Sequence, residues 1–498
     1  MRIIHFSDTH IGSERYFEEK RLLDVIEVIN DGDFDVAIHT GDVTDEGQRR
    51  EYERAKAFMD AITKPLIALP GNHDARSGGQ ALFEEYIGPS DGFRLVGDAL
   101  VVYATSVIAD SNAGRIGRVR FDLLREAFYE HSAAPVKIFC THHHILPVPS
   151  SGRERNVLEN AGDLLDLVVK SDVDLVLLGH RHYPNLHQVE NSVVLNAGTA
   201  SSSKTRYGDV QSYNVIEIDK SERRVATNRA DGRRTEVTIP RRRRTVFTDF
   251  GNRVLRIAQM ANSFISESRL FRPALLDTAL SSIAELEPDL VIHTGGVVGE
   301  GTPQDYEKAV ELLSGIEAPL LVTPSGRDMN YLGYELFARF FGDLDPSFET
   351  ENVYLHGVAS FQYDSAVGAV GKSGRERLLS DLAAHEQRFT GVFLHHNLVP
   401  VPRSRNKGLL EDAGDVLREL VDSNVDLILT GTSSHPHAAR VGRSVLANAG
   451  SVSGIYQRST YGNSFNLVDI YEGAIAVSEI SSMWGSRRLL GLWERSAP

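Results

Sequence analysis

Five short stretches of the chain carry side chains able to ligate a metal ion. They are Ser7-Asp8-Thr9-His10, Gly41-Asp42-Val43-Thr44-Asp45, Gly71-Asn72-His73-Asp74, Thr141-His142-His143 and Gly179-His180-Arg181-His182. Each follows an apolar run that reads as a buried strand. Residues two apart at a strand end project to the same side, so Asp8 and His10 can aim a carboxylate and an imidazole at one point. Taken alone, Asp-x-His is usually a surface turn, and Gly-Asn-His-Asp can be a turn selected for its Gly and Asn. Taken as an ordered set, oxygen and imidazole donors at five successive strand ends point to one metal site. Mixed donors of this kind suit Mn, Fe, Zn or Co better than Ca.

Such a site needs elements that bring distant strand ends together. Residues 2–6, 34–40 and 65–69 read as strands, with helix patterns over 17–29 and 51–62 between them. Further along, strands are expected at 100–104, 136–140, 175–178 and 193–195, and helices at 121–129 and 157–169. This alternation predicts βαβ units and a mostly parallel sheet. In open α/β sheets ligands sit at the C-terminal edge of the strands, which is where all five stretches fall. Alternation over 212–218 predicts an antiparallel edge strand and hence a second sheet.

The second half repeats the first. His39-Thr40-Gly41-Asp42 returns as His293-Thr294-Gly295-Gly296 at an offset of 254. His142-His143 and Pro147-Val148-Pro149 return as His395-His396 and Pro400-Val401-Pro402 at 253, and Asn196-Ala197-Gly198 as Asn448-Ala449-Gly450 at 252. A repeat of this length is a whole domain. The expected organisation is a domain over 1–240, a basic linker over 241–250 containing Arg241-Arg242-Arg243-Arg244, and a second domain over 251–498. The repeat serves as an internal control. Asp8 and His10 fall opposite Asn262 and Phe264, Asp42 opposite Gly296, Asp45 opposite Gly299, Asn72 opposite Gly326 and His73 opposite Arg327. His180 and His182 fall opposite Thr432 and Ser434, and only His142 meets its own type, at His395. The second domain is therefore expected to fold like the first and to bind no metal pair. Asp74 meets Asp328 and His39 meets His293, so these two residues do not need a metal to be kept.

Asp-x-His, Gly-Asp-x-x-Asp, Gly-Asn-His-Asp, a His-His pair and Gly-His-x-His, in this order, resemble the calcineurin-like metallophosphoesterase superfamily. Residues 1–220 carry all five motifs, and the rest carries their degenerate copy. The His-Thr-Gly-Asp stretch and the His-His-x-x-x-Pro-x-Pro segment are most similar to its class III cyclic-nucleotide phosphodiesterase branch. The resemblance implies an α/β fold, a four-layer αββα sandwich present twice in tandem, with a two-metal site in the first copy. It implies Asp8, His10, Asp42 and His182 on one ion, and Asp42, Asn72, His142 and His180 on the other, with Asp42 as the bridge. Two divalent ions about 3.5–4 Å apart clamp the attacking and leaving oxygens of a phosphodiester, and they yield a bridging hydroxide at neutral pH. Asn72, His73 and His143 are expected at the substrate, His73 as charge stabiliser or proton donor. Asp45 and Asp74 are expected to orient imidazoles. Lys204 and Arg206 are further candidates for an anionic substrate.

Bulk properties narrow the function. The chain has 498 residues, 41% hydrophobic and 24% charged, which is ordinary for a soluble globular protein. No apolar run approaches the ~20 residues of a membrane span, and the N-terminus lacks a signal peptide's apolar core. The one cysteine, Cys140, excludes an internal disulfide, fits a reducing cytoplasm and reads as a buried packing residue. Up to Pro240 there are 28 Lys and Arg against 37 Asp and Glu, a net −9, which leaves −6 for the remainder of the −15 total. Neither half is basic, which disfavours a protein that tracks long nucleic acid by charge, without excluding it. The expected function is a cytoplasmic phosphodiesterase with two divalent metal ions (Mn, Fe, Zn or Co). Its substrate is a small phosphoester, with nucleotides among the candidates, and no membrane partner is expected. Three alternatives stand beside it: a nuclease similar to the double-strand-break-repair branch, a protein phosphatase, which nothing in the sequence favours, and a regulatory or scaffold protein whose metal-free second domain binds a partner. The two domains are also candidates for an intramolecular pseudo-dimer.

Overall fold

In a computed structural model of the chain, which describes residues 1–241 and 250–495 apart from 364, 366, 387 and 407, the first strand already sets the layers. Along β1 (Arg2–Phe6) side chains alternate. Ile3 packs with Val101, Ile138, Leu177 and Ile216, while Ile4 and Phe6 face the other way, onto Leu22, Ile26, Tyr52 and Phe83. The first set fills the space between two sheets and the second lies under helices. Each such buried aliphatic or aromatic side chain contributes roughly 1.5–3 kcal/mol.

The chain then alternates as its pattern requires: α1 (Glu19–Asp31), β2 (Val36–His39), α2 (Arg49–Asp60), β3 (Leu66–Ala68), α3 (Gly79–Tyr86), β4 (Gly92–Val96) and β5 (Ala99–Tyr103). It continues through α4 (Arg118–Glu130), β6 (Lys137–Cys140), α5 (Ala161–Lys170), β7 (Leu175–Leu178), β8 (Asn185–Val189) and β9 (Ser192–Asn196). It ends with β10 (Ser212–Ile218), β11 (Glu222–Arg229) and β12 (Arg234–Pro240). One sheet has the order β12-β11-β10-β1-β2-β3 and the other β8-β9-β7-β6-β5-β4. Strands β1, β2 and β3 are parallel, as are β5, β6, β7 and β9. Helix α1 buries Leu22, Val25, Ile26 and Ile29, the i, i+3, i+4, i+7 stripe of an amphipathic helix. Helices α1 to α3 cover the first sheet. Helices α4 and α5 bury Phe121, Leu124, Leu164, Leu165 and Val168 and form the fourth layer. The fold is a four-layer αββα sandwich.

Two expectations change. Strand β10 is not an edge; it lies between β1 and β11. The hairpin of β11 and β12, turned through Asp231-Gly232 with Gly232 at φ 87°, adds two strands beyond it. Helix α5 starts at Ala161, four residues later than expected, because the Asn160 side chain is bound to the backbone N–H and carbonyl of Ile116. Cys140 is buried between the sheets, where burial pushes its thiol pKa up and leaves it a packing group.

The chain divides into two units, residues 1–244 and 245–498. Arg242-Arg243-Arg244, assigned above to a linker, lies outside the described residues. Arg241 belongs to the first unit, where it donates to Asp174 Oδ1 and to the Pro135 carbonyl. The second unit repeats the architecture. Its first sheet runs Leu320–Val322, Leu290–His293, Arg253–Met260, Ser464–Tyr471, Ala474–Ser481, Arg487–Glu494. Its second runs His437–Val441, Ser444–Asn448, Leu427–Thr430, Phe389–Leu394, Val353–Val358, Ser347–Glu349. Ile257 faces the space between its sheets and Ala258 the helices, as Ile3 and Ile4 do in β1. Among the described residues no helix is long and apolar enough to cross a membrane.

Candidate metal centre

The five motifs leave the C-terminal ends of β1, β2, β3, β6 and β7. Parallel pairing puts those ends on one edge of each sheet. The turns there are tight: Asp8, His10, Asp42, His180 and His182 all hold left-handed backbone, with φ of 55°, 48°, 55°, 75° and 52°. Non-glycine residues seldom adopt this conformation, and where they do the surrounding packing has to impose it. Asp8, His10, Asn72, Asp42 and His142 are buried.

Their donor atoms converge. Among the described residues, three groups have donor atoms within 4.8 Å of one another: Asp8, His10, Asp42 and His182; Asp42, His142 and His180; and His10, Asp45 and His73. All three lie in the first unit, and the first two share Asp42. Asp42 Oδ2 stands 3.4 Å from His142 Nε2 and 3.7 Å from His10 Nε2. His182 Nε2 is 3.2 Å from Asp8 Oδ1. Asn72 Oδ1 lies 2.9 Å from His180 Nδ1 and 3.2 Å from His142 Nε2.

The arrangement of protons tests whether these residues suit a metal. His182 Nδ1 donates to the Lys204 carbonyl at 2.6 Å, His142 Nδ1 to the Thr40 carbonyl at 2.7 Å and His10 Nδ1 to Asp45 Oδ1 at 3.2 Å. Each neutral ring therefore turns the lone pair of Nε2 inward. His10 Nε2 and His182 Nε2 meet at 3.0 Å, and His142 Nε2 faces two oxygens. Lone pairs packed this closely repel unless a cation or a proton lies among them, so the donor set fits divalent ions. At His142 a proton can meet that demand in place of an ion. Burial would lower the His142 pKa, but the Asp42 and Asp8 carboxylates push it up to about 9. Burial opposes ionisation of Asp42, yet His142 and His73 hold its carboxyl well below the ordinary range. Burial lowers His10 and His180.

The calcineurin-like phosphoesterase family model matches residues 1–184. Residues 1–184 are thus similar to calcineurin-like phosphoesterases. The DNA double-strand break repair protein Mre11 of Haloferax volcanii is 26% identical over 231 residues, 44% of this chain and 49% of that protein. The 3',5'-cyclic adenosine monophosphate phosphodiesterase CpdA of Haemophilus influenzae is 26% identical over 160 residues, 30% of this chain and 55% of that protein. CpdA of Escherichia coli is 25% identical over 197 residues, 36% of this chain and 70% of that protein. The chain thus spans about half the length of the first two relatives.

Other expected residues of this site fall as follows. Asp45 contacts His10 and also His73, whose Nδ1 donates to the Asp45 carbonyl at 2.6 Å. His73 Nε2 accepts from Arg76 Nη2 at 3.1 Å, and Arg76 also pairs with Glu46. Asp74 orients no imidazole, contrary to expectation. Its oxygens accept from the backbone N–H groups of Gly71, Val43 and Thr44 and from the Thr44 hydroxyl, which fastens the loop after β2 to the loop after β3. His143, also expected at the substrate, lies outside the three donor groups. Nε2 donates to the Asn112 carbonyl, Nδ1 accepts from Ser106 Oγ, and the ring is fully buried. Lys204 contributes its carbonyl, while its ammonium lies 5.8 Å from the Tyr16 ring; Arg206 is exposed. Asn112, which accepts from Asn72 Nδ2 at 3.1 Å, and Glu154, which binds His144 Nε2 at 2.6 Å, were not foreseen. Arg76 was also missed.

In the second unit the same turns survive without the donors. Asn262 and Phe264 are left-handed at φ 53°, and Gly296 stands at φ 72°. Asn262 Nδ2 donates to the Gly431 carbonyl and His395 Nδ1 to the Thr294 carbonyl. The Phe264 ring occupies space beside Gly296 and Gly454; a Cβ on Gly454 would lie 2.4 Å from the ring.

Proposed function

We propose that the first unit is a metal-dependent phosphodiesterase that hydrolyses a small phosphodiester, with cyclic nucleotides the first class to test. The observation that carries this reading is the pair of donor groups joined at Asp42, with imidazole lone pairs turned inward. Asp8, His10, Asp42 and His182 would hold one divalent ion, and Asp42, Asn72, His142 and His180 a second. Bound there, such ions supply Lewis-acid charge that offsets charge gathered on phosphate oxygens and acidifies water. The chain's own groups do the rest. Carbonyls of Thr40 and Lys204 and the Asp45 carboxylate fix the imidazoles. Arg76 offers a forked guanidinium to a phosphate oxygen. When Arg76 turns to the phosphate, His73 Nε2 is released to hold a proton for the leaving oxygen. Burial opposes protonation of His73, but Asp42 and Asp45 raise its pKa overall.

The test is hydrolysis of bis(p-nitrophenyl) phosphate with added Mn²⁺. Asp42→Asn is expected to lower turnover at least about 100-fold, beyond what loss of an outer orienting group does, and EDTA to abolish it. Wild-type turnover in Asp42→Asn would refute the assignment. The match to the Haloferax volcanii Mre11 protein supports a second reading, a nuclease. The net −9 of residues 1–240 weighs against a grip on long nucleic acid. Cleavage of an oligonucleotide faster than of cyclic nucleotides, in the same preparation, would favour it.

A further inference from the structure

The mouth of the second unit differs from that of the first in a consistent direction. Three carboxylates are gone: Asn262, Gly296 and Gly299 stand where Asp8, Asp42 and Asp45 stand in the first unit. Arg327 takes the place of His73. Its guanidinium lies 5.3 Å from the Phe264 ring centroid, Nη1 donates to the Gly299 carbonyl at 3.4 Å, and no carboxylate among the described residues pairs with it. The Phe264 ring lies against this cation and carries a second aromatic contact. Phe264 meets Tyr456 edge-on at 6.3 Å. The loop after Val353–Val358 closes on Gly326, the residue before Arg327, where an added Cβ would lie 3.1 Å from the Ser365 carbonyl. That loop carries Tyr363, which meets Tyr334 edge-on at 6.3 Å. Tyr363 is 65% exposed and Tyr456 53%. Counting from Ser106 and Ser360, which bind His143 and His396 in the same way, Tyr363 stands where the first unit has Ala109. Counting from Gly198 and Gly450, Tyr456 stands where it has Lys204.

We propose that this mouth binds a nucleotide without metal, its base stacked on Tyr363 and its phosphate held by Arg327. Exposed aromatic faces accept any base, and a guanidinium free of a carboxylate matches a phosphate fork. The net −6 of the second half gives no long basic track, so the recognised unit is one nucleotide, free or at the end of a strand. The inference is independent of the first unit's activity.

The test uses full-length protein in EDTA and the fluorescent probe N-methylanthraniloyl-AMP, followed by anisotropy. Saturable binding is expected, weakened on the order of tenfold by Arg327→Gln and by Tyr363→Ser, with thermal melts unchanged because both side chains are exposed. Unlabelled AMP and a 5'-phosphorylated eight-nucleotide strand then compete. Equal competition identifies the free nucleotide, and a strand at least ten times stronger identifies a strand end; both uphold the proposal. No binding in EDTA, or full affinity in either variant, overturns it and leaves the aromatic mouth as a surface for a protein.

Discussion

The two units share a backbone and part on chemistry. Asn262 and Phe264 keep the left-handed turn of Asp8 and His10 although neither could serve as the same metal ligand. Asp328 accepts from the N–H groups of Ser325, Gly296 and Val298, as Asp74 does from those of Gly71, Val43 and Thr44. Tyr306 donates to the Asp328 carbonyl as Tyr52 does to that of Asp74. His293 Nε2 binds Ser263 as His39 Nε2 binds Thr9. The strained turns, the loop carboxylate and the His39 position therefore belong to the fold. What the first unit adds is the inward-facing donors, among which a proton on His142 stands in when no cation is bound.

Carrying the second unit's residues into the first is the strongest way to break that comparison. Asp8→Asn with His10→Phe is expected to remove metal-dependent turnover by on the order of 10³-fold or more, in the same phosphodiester assay, with the turn intact. Packing adds a condition. Phe264 fits against Gly454, whereas the first unit has Ser202 at that place. His10→Phe alone overpacks, costing roughly 1–3 kcal/mol, and Ser202→Gly should restore much of it in urea melts. A triple variant that still melts far below wild type would show that the two backbones are not equivalent.

Removing the shared carboxylate sharpens the comparison. Asp74→Ala leaves backbone donors of Gly71, Val43 and Thr44 without their acceptor, and Asp328→Ala does the same to those of Ser325, Gly296 and Val298. Each is expected to cost about 2–4 kcal/mol in denaturant titrations. Asp328→Ala should leave kcat of the folded protein unchanged. A wild-type melt for Asp74→Ala with lost activity would return Asp74 to the chemistry.

The paired histidines should respond to pH with opposite signs. His142 in the metal-free chain is raised to about 9, mainly by Asp42 working against burial. Its charge stabilises the fold fully below the unfolded pKa of about 6.5, and that contribution is lost as pH rises through 9. His395, buried with Gly296 in place of Asp42, is lowered instead. Its neutral form is stable at high pH, and stability falls as the unfolded ring gains a proton below about 6.5. Melts in EDTA from pH 5 to 9, with His142→Gln and His395→Gln, separate the two. Metal binding must displace the His142 proton, so apparent affinity should rise up to about tenfold per pH unit and level off above 9. The same sign of response in both variants would mean that Asp42 does not control His142.

The layers and the converging motifs were legible because both follow from periodicity. Strand ends of a parallel sheet share an edge, while the aim of Asp8, His10, His180 and His182 comes from left-handed turns past those ends, which periodicity does not encode. The β11–β12 hairpin carried a readable signal in Asp231-Gly232 that was passed over. The groups that fix His142 and His182 are the carbonyls of Thr40 and Lys204, and a carbonyl has no residue signature. Arg76 and Asn112 reach the site through a turn and a long loop, whose paths no pattern encodes.

His143 is the case where the sequence held the answer and adjacency misled. His143 follows His142 in the turn after β6 and packs beside the His180 ring without joining the donor groups. The structure ties it to Ser106 and Asn112, and the second unit repeats the serine bond between Ser360 Oγ and His396 Nδ1 at 2.9 Å. A bond kept in the unit without the donor set is a packing device. His143→Leu and His396→Leu are thus each expected to cost about 1–2 kcal/mol, mostly for a buried serine hydroxyl left unpaired, and His143→Leu should leave KM unchanged. His143 also lies 4.5 Å from the His180 ring, so a modest fall in kcat fits the same role. A raised KM with an unchanged melt would make His143 a substrate contact, and the two units would then differ at one more position than their backbones suggest.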